Sequence, residues 1–208
     1  MRSTVIPSLV LASASPRRKE LLERIGLALE VLPADLDESR HPNEEPIAYA
    51  RRLAAEKVRA VAERLSGVKR DRPVLGADTI VIVDDGGDPV LGKPAGPEEA
   101  RVMLTRLSGR SHLVATAYHL FYRGAERGRA VETEVTFRPL LPVEIEGYVG
   151  AREWEGKAGG YAIQGLAGAF VRRIHGSYTN VVGLPLCEVV EDLDALGALP
   201  PDWTLGKP

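Results

Sequence analysis

A short strand that leads directly into a helix constrains the fold more than any other stretch of this sequence. Residues 9–12 are apolar, residues 13–15 are Ser-Ala-Ser, and Pro16 suits the first position of a helix that ends at Gly26. Ser15 fits the N-cap position of that helix. A buried strand followed at once by a helix indicates an α/β fold, in which helices cover a sheet.

The first turn of this helix carries three basic residues, Arg17, Arg18 and Lys19. Cations at a helix N-terminus oppose the helix dipole, so their grouping is locally unfavourable. A bound anion would relieve the conflict, because free backbone N–H groups and the guanidinium groups would point at it. The segment therefore predicts either a phosphate-binding corner or an ordinary strand–helix turn with solvated basic side chains.

The rest of the chain alternates predicted strands with predicted helices and contains no internal repeat or linker. Further strands are predicted at residues 29–32, 74–83, 89–91, 111–122, 129–138 and 168–174. Further helices are predicted at residues 46–66, 97–107, 142–150 and 185–196. We therefore expect one α/β domain with two lobes over residues 1–197, followed by a tail over residues 198–208.

Composition and charge narrow the class of protein. The net charge of −2 disfavours a general nucleic-acid binder, which needs a basic surface. The one cysteine excludes an internal disulfide framework and fits a reducing compartment. No apolar run approaches the length of a membrane span. We expect a cytoplasmic protein that binds neither nucleic acid nor membranes.

An aspartate stands in the middle of the most apolar strand candidate, residues 74–83 with the sequence VLGADTIVIV. Aspartate disfavours strands, and a carboxylate inside an apolar strand needs charged or hydrogen-bonding partners. Asp78 therefore indicates a functional site. The alternative is a strand-end aspartate that caps a loop.

Two isolated lysines and a glutamate are candidate partners for Asp78. Lys57 lies seven residues after Ala50, beside the apolar stripe of its helix, and is either a surface residue with a buried stem or a lysine in a cleft. Lys93 lies at a corner before a proline, and Glu38 lies in the polar loop before the long helix. Carboxylates without a histidine or cysteine cluster favour Mg²⁺ or Mn²⁺ over zinc.

Two other chemistries have weaker support. Residues 35–39 (DLDES) match the DxDx[ST] pattern of haloacid-dehalogenase-type phosphatases, but the acidic pair Asp84 and Asp85 precedes any lysine motif, and Pro33 interrupts the strand that should carry the nucleophile. The four histidines lie in no nucleophile motif. Cys187 is expected on the apolar side of the last helix, in the core.

Four segments in sequence order resemble the Maf family of nucleoside triphosphate pyrophosphatases. They are ASASPRRKELLERIG at 12–26, VLGADTIVIV at 74–83 with LGKP at 91–94, ETEVTFRPL at 132–140, and GYAIQGLAGAFVRRIHGSYTNVVGLPL at 160–186. The resemblance runs from about residue 9 to residue 190. It implies a twisted mixed β-sheet flanked by helices, with two lobes around a central cleft as in the inosine-triphosphatase-like fold, and a homodimer.

The resemblance also implies an activity and the residues that perform it. Members of the family use a divalent metal ion to hydrolyse nucleoside triphosphates to a monophosphate and pyrophosphate. The matching positions place the catalytic aspartate at Asp78 and the acidic residue that holds metal or water at Glu38. The phosphate-binding residues that the resemblance implies are Ser13, Arg17, Arg18, Lys57 and Lys93.

Three positions, Arg17, Thr79 and Gln164, resemble the branch of the family that prefers dTTP and UTP. The side-chain amide of Gln164 both donates and accepts hydrogen bonds, which suits a uracil or thymine edge. Two positions depart from the family pattern. Gly156 stands where an aspartate is usual, and Ala162 stands where glycine is common.

The charges suggest a mechanism, in which Glu38 and Asp78 hold Mg²⁺ or Mn²⁺ or its water shell. Asp78 would orient or deprotonate the water that attacks the α-phosphorus, and cationic side chains would stabilise the departing pyrophosphate. CTP and modified pyrimidine nucleotides are further candidate substrates. The alternatives are hydrolysis of ITP or XTP, and a regulator of cell division that senses a triphosphate without hydrolysing it. The acidic pair disfavours the sensor, because carboxylates do not help to bind a polyanion unless a metal ion bridges them.

Overall fold

Seven strands and six helices make up the described part of the chain, residues 9–67, 71–200 and 203, in this computed structural model. The strands are β1 (Leu9–Leu11), β2 (Leu29–Val31), β3 (Val74–Ile82), β4 (Val90–Leu91), β5 (Ser111–Tyr122), β6 (Ala125–Phe137) and β7 (Val171–His175). The helices are α1 (Pro16–Arg24), α2 (Pro46–Arg64), α3 (Pro97–Leu107), α4 (Pro142–Gly150), α5 (Tyr178–Val182) and α6 (Leu186–Ala195). Short 3₁₀ turns occupy Ala158–Gly160 and Leu166–Ala169.

The strands form a mixed sheet. Their order is β2-β1-β3-β5-β6-β7, and β4 pairs with β3. Strand β1 runs parallel to both β2 and β3, whereas β4 is antiparallel to β3, and β7 is antiparallel to β6. The predicted α/β fold, a mixed sheet flanked by helices, is confirmed.

The hairpin between β5 and β6 is tighter than the sequence suggests. A loop over residues 123–127 is predicted, whereas the strands are separated by Arg123 and Gly124 alone. Both have positive φ, 49° and 82°, as the type I′ turn of a two-residue hairpin requires. The prediction is wrong here because residues 125–128 (AERG) have no apolar alternation yet belong to the exposed end of β6.

The segment before β7 also differs from the prediction. Residues 168–174 are predicted as one strand, but a 3₁₀ turn occupies Leu166–Ala169 and the strand begins at Val171. The amide of Gly168 donates to the Gly165 carbonyl at 2.9 Å, and that of Phe170 donates to the Ala167 carbonyl at 3.0 Å. These local hydrogen bonds take the place of a strand ladder.

The chain divides into two compact units, and the first comprises the described parts of Met1–Asp78, Ala117–Ala130 and Gly183–Pro208. One of its apolar clusters joins β1, α2 and β3 through Val10, Ala12, Val58, Val61, Leu65 and Val74. A polar network around the buried Asp192 joins β5, β6 and α6 in the same unit. There Asp192 accepts hydrogen bonds from the Tyr118 hydroxyl at 2.6 Å and from Arg129 Nη2 at 2.7 Å.

The second unit comprises Thr79–Thr116 and Val131–Val182. Every second residue at the end of β6 is buried, namely Thr133, Val135 and Phe137, as in a strand with one face on the core. Aromatic rings pack around Phe137, with edge contacts to His112 and Tyr161 at centroid distances of 5.0 and 4.9 Å. Burial lowers the pKa of His112 to about 4, so the ring is neutral at physiological pH.

The prediction for Cys187 is wrong, because its side chain is exposed. Helix α6 begins at Leu186 and buries Val189, Asp192 and Leu193, three and four residues apart on one face. Cys187 precedes that buried line by two positions, which turns it away from the core. The predicted tail, residues 198–208, lies mostly outside the described residues. None of the described helices is long and apolar enough to cross a membrane.

Candidate active site

The loop between β1 and α1 is tied to distant backbone by one arginine. Arg18 is buried, and its Nη1 donates to the Ser13 hydroxyl and to the Ala77 carbonyl, each at 2.9 Å. Its Nε donates to the Gly183 carbonyl at 2.8 Å. Arg18 therefore holds the loop against the strand residue that immediately precedes Asp78.

The neighbouring basic residue has a different environment. Arg17 is partly exposed at the first turn of α1, and its positive charge acts on Arg18. The pKa of Arg18 is lowered by burial, while the negative charges of Asp78 and Glu38 oppose that shift. Arg18 is therefore a buried residue that links the loop to distant backbone, whereas Arg17 is the more accessible of the two cations.

Two carboxylates meet on one buried ammonium group. Lys57 Nζ lies 2.6 Å from Glu38 Oε1 and 2.7 Å from Asp78 Oδ1. The side chain of Lys57 is 7% exposed and that of Asp78 is 10% exposed. The interpretation of Lys57 as a surface residue with a buried stem is therefore wrong, because its ammonium group is buried. Asp78, in turn, has the partners that a buried carboxylate needs.

The contact between α2 and β3 depends on a glycine. A Cβ atom at Gly76 would lie 2.7 Å from the Ala54 carbonyl oxygen and 2.8 Å from Val58 Cγ2. Both of those residues lie on α2, one turn or less from Lys57. The missing side chain lets the helix approach the strand closely enough for Lys57 to reach Asp78.

Tyr49 contributes to the site although the sequence did not single it out. Its hydroxyl donates to the backbone carbonyl of Glu38 at 2.7 Å. Burial raises the pKa of Tyr49, and the charges of Asp78 and Glu38 raise it further, so the hydroxyl stays protonated. Helical periodicity marks the apolar stripe of α2 and gives no signal for a partly exposed tyrosine that bonds to a loop.

The remaining predicted residues lie in the second unit. The hydroxyl of Thr79 is 2.9 Å from that of Thr116, whereas Lys93 and Gln164 are exposed. Their predicted roles in phosphate binding and base selection stay predictions. Within that unit the structure fixes the hydroxyl of Thr79 through a threonine on β5.

The two departures from the family pattern lie in well-defined backbone environments. Gly156 has φ of +64°, in the left-handed region that favours glycine. Ala162 donates its backbone amide to the Tyr148 hydroxyl at 3.0 Å. In the same glycine-dense stretch, Gly159 has φ of +68° and donates its amide to the Gly92 carbonyl at 3.0 Å, so this stretch is anchored beside the residue that precedes Lys93.

The carboxylate pair suits a hard cation that receives most of its ligands from elsewhere. Within the described residues, no group of three or more histidine, cysteine, aspartate or glutamate side chains could hold a metal ion. Mg²⁺ commonly takes one or two carboxylates and completes its shell with water and substrate phosphate oxygens. Glu38 and Asp78, which share one cationic partner, fit that requirement.

The phosphatase-like motif has no catalytic geometry. Asp37 lies in an exposed loop, where its carboxylate accepts hydrogen bonds from the Ser39 amide at 2.9 Å and from the Ser39 hydroxyl at 2.5 Å. These bonds lower the pKa of Asp37. Asp85 is paired with Arg106, Nη2 to Oδ1, at 2.6 Å. These carboxylates therefore serve local turns and ion pairs.

The chain is similar in sequence to one protein family over nearly its whole length. A sequence model of the Maf-like protein family matches residues 8–196. A dTTP/UTP pyrophosphatase of Syntrophus aciditrophicus is 47% identical over 193 residues, which cover 92% of this chain and 91% of that protein. One of Geobacter sp. strain M21 is 50% identical over 194 residues, or 92% of this chain and 97% of that protein.

A third relative extends the match slightly. A dTTP/UTP pyrophosphatase of Anaeromyxobacter dehalogenans is 49% identical over 201 residues, which cover 95% of this chain and 97% of that protein. Among solved structures, the Staphylococcus aureus Ham1 protein gives a TM-score of 0.44 at 15% identity, over 62% of this chain and 71% of that one.

Proposed function

The chain belongs to the family of Maf-like proteins, and from this membership we propose that it hydrolyses dTTP and UTP to the nucleoside monophosphate and pyrophosphate. The observation that carries the proposal is its 47% and 50% identity to two dTTP/UTP pyrophosphatases over 92% of its length. The pairing of Glu38 and Asp78 on Lys57 supports it, because two converging carboxylates do not help to bind a polyanion unless a metal ion bridges them.

The chemical step follows from the charges of the site. A water oxygen attacks the α-phosphorus, the bond from that phosphorus to the bridging oxygen breaks, and pyrophosphate leaves. Asp78 orients the water and accepts its proton. A Mg²⁺ or Mn²⁺ ion, held by Glu38 and Asp78, would lower the pKa of bound water and neutralise phosphate charge.

The cationic residues have distinct roles in this scheme. Lys57 fixes the two carboxylates relative to each other, and Arg18 fixes the loop that carries Ser13. Arg17 and Lys93 are more exposed than these two and bind phosphate oxygens, where they stabilise the charge that develops on the leaving pyrophosphate. Phosphoryl transfer depends chiefly on such positioning and charge stabilisation.

Base selection is assigned to Thr79, Gln164 and Arg17. The exposed amide of Gln164 is able to donate to and accept from a pyrimidine edge. Replacing Gln164 with alanine is expected to reduce kcat/KM for UTP and dTTP about tenfold more than kcat/KM for ITP. An equal loss for all nucleotides would remove Gln164 from base selection.

A substrate panel tests the proposal directly. Purified protein with Mg²⁺ is incubated with dTTP, UTP, CTP, ITP and XTP, and the monophosphate and pyrophosphate are quantified. We expect the highest kcat/KM for dTTP and UTP, and in ¹⁸O-labelled water the label should enter the monophosphate. A preference for ITP or XTP would favour purine removal, and binding without products would favour the sensor of cell division.

We also propose a cytoplasmic homodimer, as the family resemblance implies. The chain has a mass of 22.5 kDa, so light scattering coupled to size exclusion should give twice that value. A mass equal to that of one chain would contradict the dimer.

A further inference from the structure

Of the two carboxylates, Glu38 is held less firmly by the secondary structure around it. It lies in the segment between β2 and α2, outside any regular element, and its side chain is 39% exposed. Asp78, in contrast, lies within β3 and is 10% exposed. A residue on a loop needs other contacts to keep an orientation precise enough for catalysis.

Two side chains of α2 hold successive carbonyl groups of this loop. The Tyr49 hydroxyl donates to the carbonyl of Glu38 at 2.7 Å, and Arg52 Nη2 donates to the carbonyl of Ser39 at 3.0 Å. Residues three apart on a helix lie on the same face, so both donors leave α2 in one direction. The same helix carries Lys57, the partner of both carboxylates.

Arg52 is itself held rigidly. It forms a two-point ion pair with Glu44, Nε to Oε1 at 2.7 Å and Nη2 to Oε2 at 2.8 Å, and its Nη1 donates to Glu56 at 3.1 Å. The Arg52 hydrogen bonds lower the pKa of Glu44 to about 2, so the pair persists throughout the physiological range. The guanidinium carbon also lies 5.6 Å from the centre of the Tyr49 ring.

The far end of the loop is fixed by the same glutamate. Glu44 accepts a hydrogen bond from the His41 amide at 3.1 Å, and its backbone carbonyl accepts one from Arg40 Nε at 3.0 Å. Through Arg52 and Glu44, the backbone on both sides of residue 40 is therefore connected to one arginine of α2.

We propose that Tyr49 and Arg52 are positioning residues, which fix the loop so that the Glu38 carboxylate stays on Lys57 and beside Asp78. Neither residue is assigned contact with the reacting atoms, and both act through Glu38. The inference rests on the proposed function, since it gives Glu38 its catalytic use.

Removal of a single oxygen tests the role of Tyr49. The Tyr49→Phe variant is expected to lower kcat for dTTP about tenfold while KM changes less than twofold, because substrate contacts remain and the geometry of the carboxylate is lost. Tyr122→Phe, a partly buried tyrosine on β5, is the matched control and should keep the wild-type kcat. Equal kcat for Tyr49→Phe and the wild type would overturn the proposal.

Coupling to Glu38 separates positioning from a general structural effect. In a Glu38→Gln background, adding Tyr49→Phe should lower the residual kcat less than twofold, because the residue through which Tyr49 acts is already disabled. A further tenfold loss in that background would show that Tyr49 acts independently of Glu38.

A conservative replacement by lysine tests whether the planar guanidinium group of Arg52 is required. A lysine keeps the charge but cannot pair with Glu44 at two points while donating to Ser39. Arg52→Lys should therefore lose kcat as severely as Arg52→Gln, about tenfold, whereas Arg51→Gln, at the exposed neighbouring position, should lose none. Full activity of Arg52→Lys would reduce the role of Arg52 to its charge and overturn the proposal for this residue.

A readout without substrate keeps this test distinct from that of the proposed function. Amide hydrogen exchange at residues 38–41 should be about tenfold faster in Tyr49→Phe and Arg52→Lys than in the wild type, and unchanged in the two controls. If the wild type hydrolyses no nucleotide, the proposed function fails, whereas the exchange rates still decide the loop attachment. Unchanged exchange rates in Tyr49→Phe and Arg52→Lys would overturn the proposal that these two residues fix the loop.

Discussion

Lys57 Nζ and Asp78 Oδ1 lie 2.7 Å apart, although the two residues are 21 positions apart in the sequence. One belongs to α2 and the other to β3, and the contact is buried. Lys57 also contacts Glu38, so one ammonium compensates two carboxylates. The site and the packing of α2 on β3 are therefore stabilised by the same interaction.

Removal of the ammonium should destabilise the protein. In Lys57→Met, Asp78 loses its buried cationic partner, and we expect the free energy of unfolding to fall by about 3 kcal/mol. Urea denaturation measures this change. Adding Asp78→Asn to Lys57→Met should recover part of the loss, because the unpaired buried charge is then gone.

An exposed ion pair provides the control for this prediction. Lys19 lies 3.7 Å from Glu23, and its side chain is 50% exposed. Lys19→Met should change the free energy of unfolding by less than about 0.5 kcal/mol, as surface pairs contribute little. A Lys57→Met variant as stable as Lys19→Met would contradict the importance assigned to the buried contact.

A methyl group at Gly76 should separate helix from strand. The added Cβ would lie 2.7 Å from the Ala54 carbonyl oxygen, so α2 must shift. We expect Gly76→Ala to lower the free energy of unfolding by about 2 kcal/mol and to lower kcat as well, since Lys57 moves with its helix. Thermal unfolding and steady-state kinetics measure the two effects.

Gly147, in α4, provides the matched control for the Gly76 substitution. Apart from its chain neighbours and the backbone of its own helix, no atom lies within 4 Å of a Cβ built there, and Gly147 is exposed. Gly147→Ala should therefore increase stability by about 0.5–1 kcal/mol through helix propensity, with unchanged kcat. Similar effects of the two substitutions would show that the close approach at Gly76 is unimportant.

The catalytic assignment is tested by an isosteric change. Asp78→Asn keeps the size of the side chain but removes the group that we propose orients and deprotonates water, so kcat should fall by about 10³ or more. Far-UV circular dichroism should remain that of the wild type. The exposed Asp84→Asn is the control and should retain full turnover; near-normal turnover in Asp78→Asn would remove Asp78 from the mechanism.

Much of the fold was predictable because its determinants are local. The helix over Pro97–Leu107 and the strand over Ser111–Tyr122 have the predicted bounds, since apolar periodicity and glycine stops mark them. The sequence indicates a special role for Asp78 for a similarly local reason, because a carboxylate in an apolar run conflicts with its immediate neighbours. These signals need no knowledge of the tertiary structure.

The partners of the site residues were less predictable because they depend on distant backbone. Adjacent positions on a helix differ by about 100° in direction, and whether Arg17 or Arg18 points inward is decided by the carbonyls of Ala77 and Gly183. The roles of Tyr49 and Arg52 likewise depend on where the loop at Glu38 crosses α2. The apolar period of the helix contains no information about that crossing.

A buried histidine should make stability depend on pH. His112 Nε2 lies 2.9 Å from the Tyr161 hydroxyl inside the aromatic cluster, and burial lowers the pKa of the ring from 6.5 to about 4. The unfolded chain therefore takes up a proton at higher pH than the folded chain does. The contribution is fully present above pH 6.5 and is lost as pH falls toward 4, by roughly 3 kcal/mol at pH 4.

Urea denaturation of wild type and variants between pH 7 and pH 4 measures this dependence. The His112→Phe variant fills the space beside Phe137 but cannot take up a proton, so it should lose roughly 3 kcal/mol less than the wild type over that interval. His41→Gln, at an exposed position, should follow the wild type. At pH 7 the His112→Phe variant will be less stable than the wild type, because the Tyr161 hydroxyl loses its partner. The variants are therefore compared by the slope of the free energy of unfolding against pH. Parallel curves for the wild type and His112→Phe would mean that the buried ring does not resist protonation.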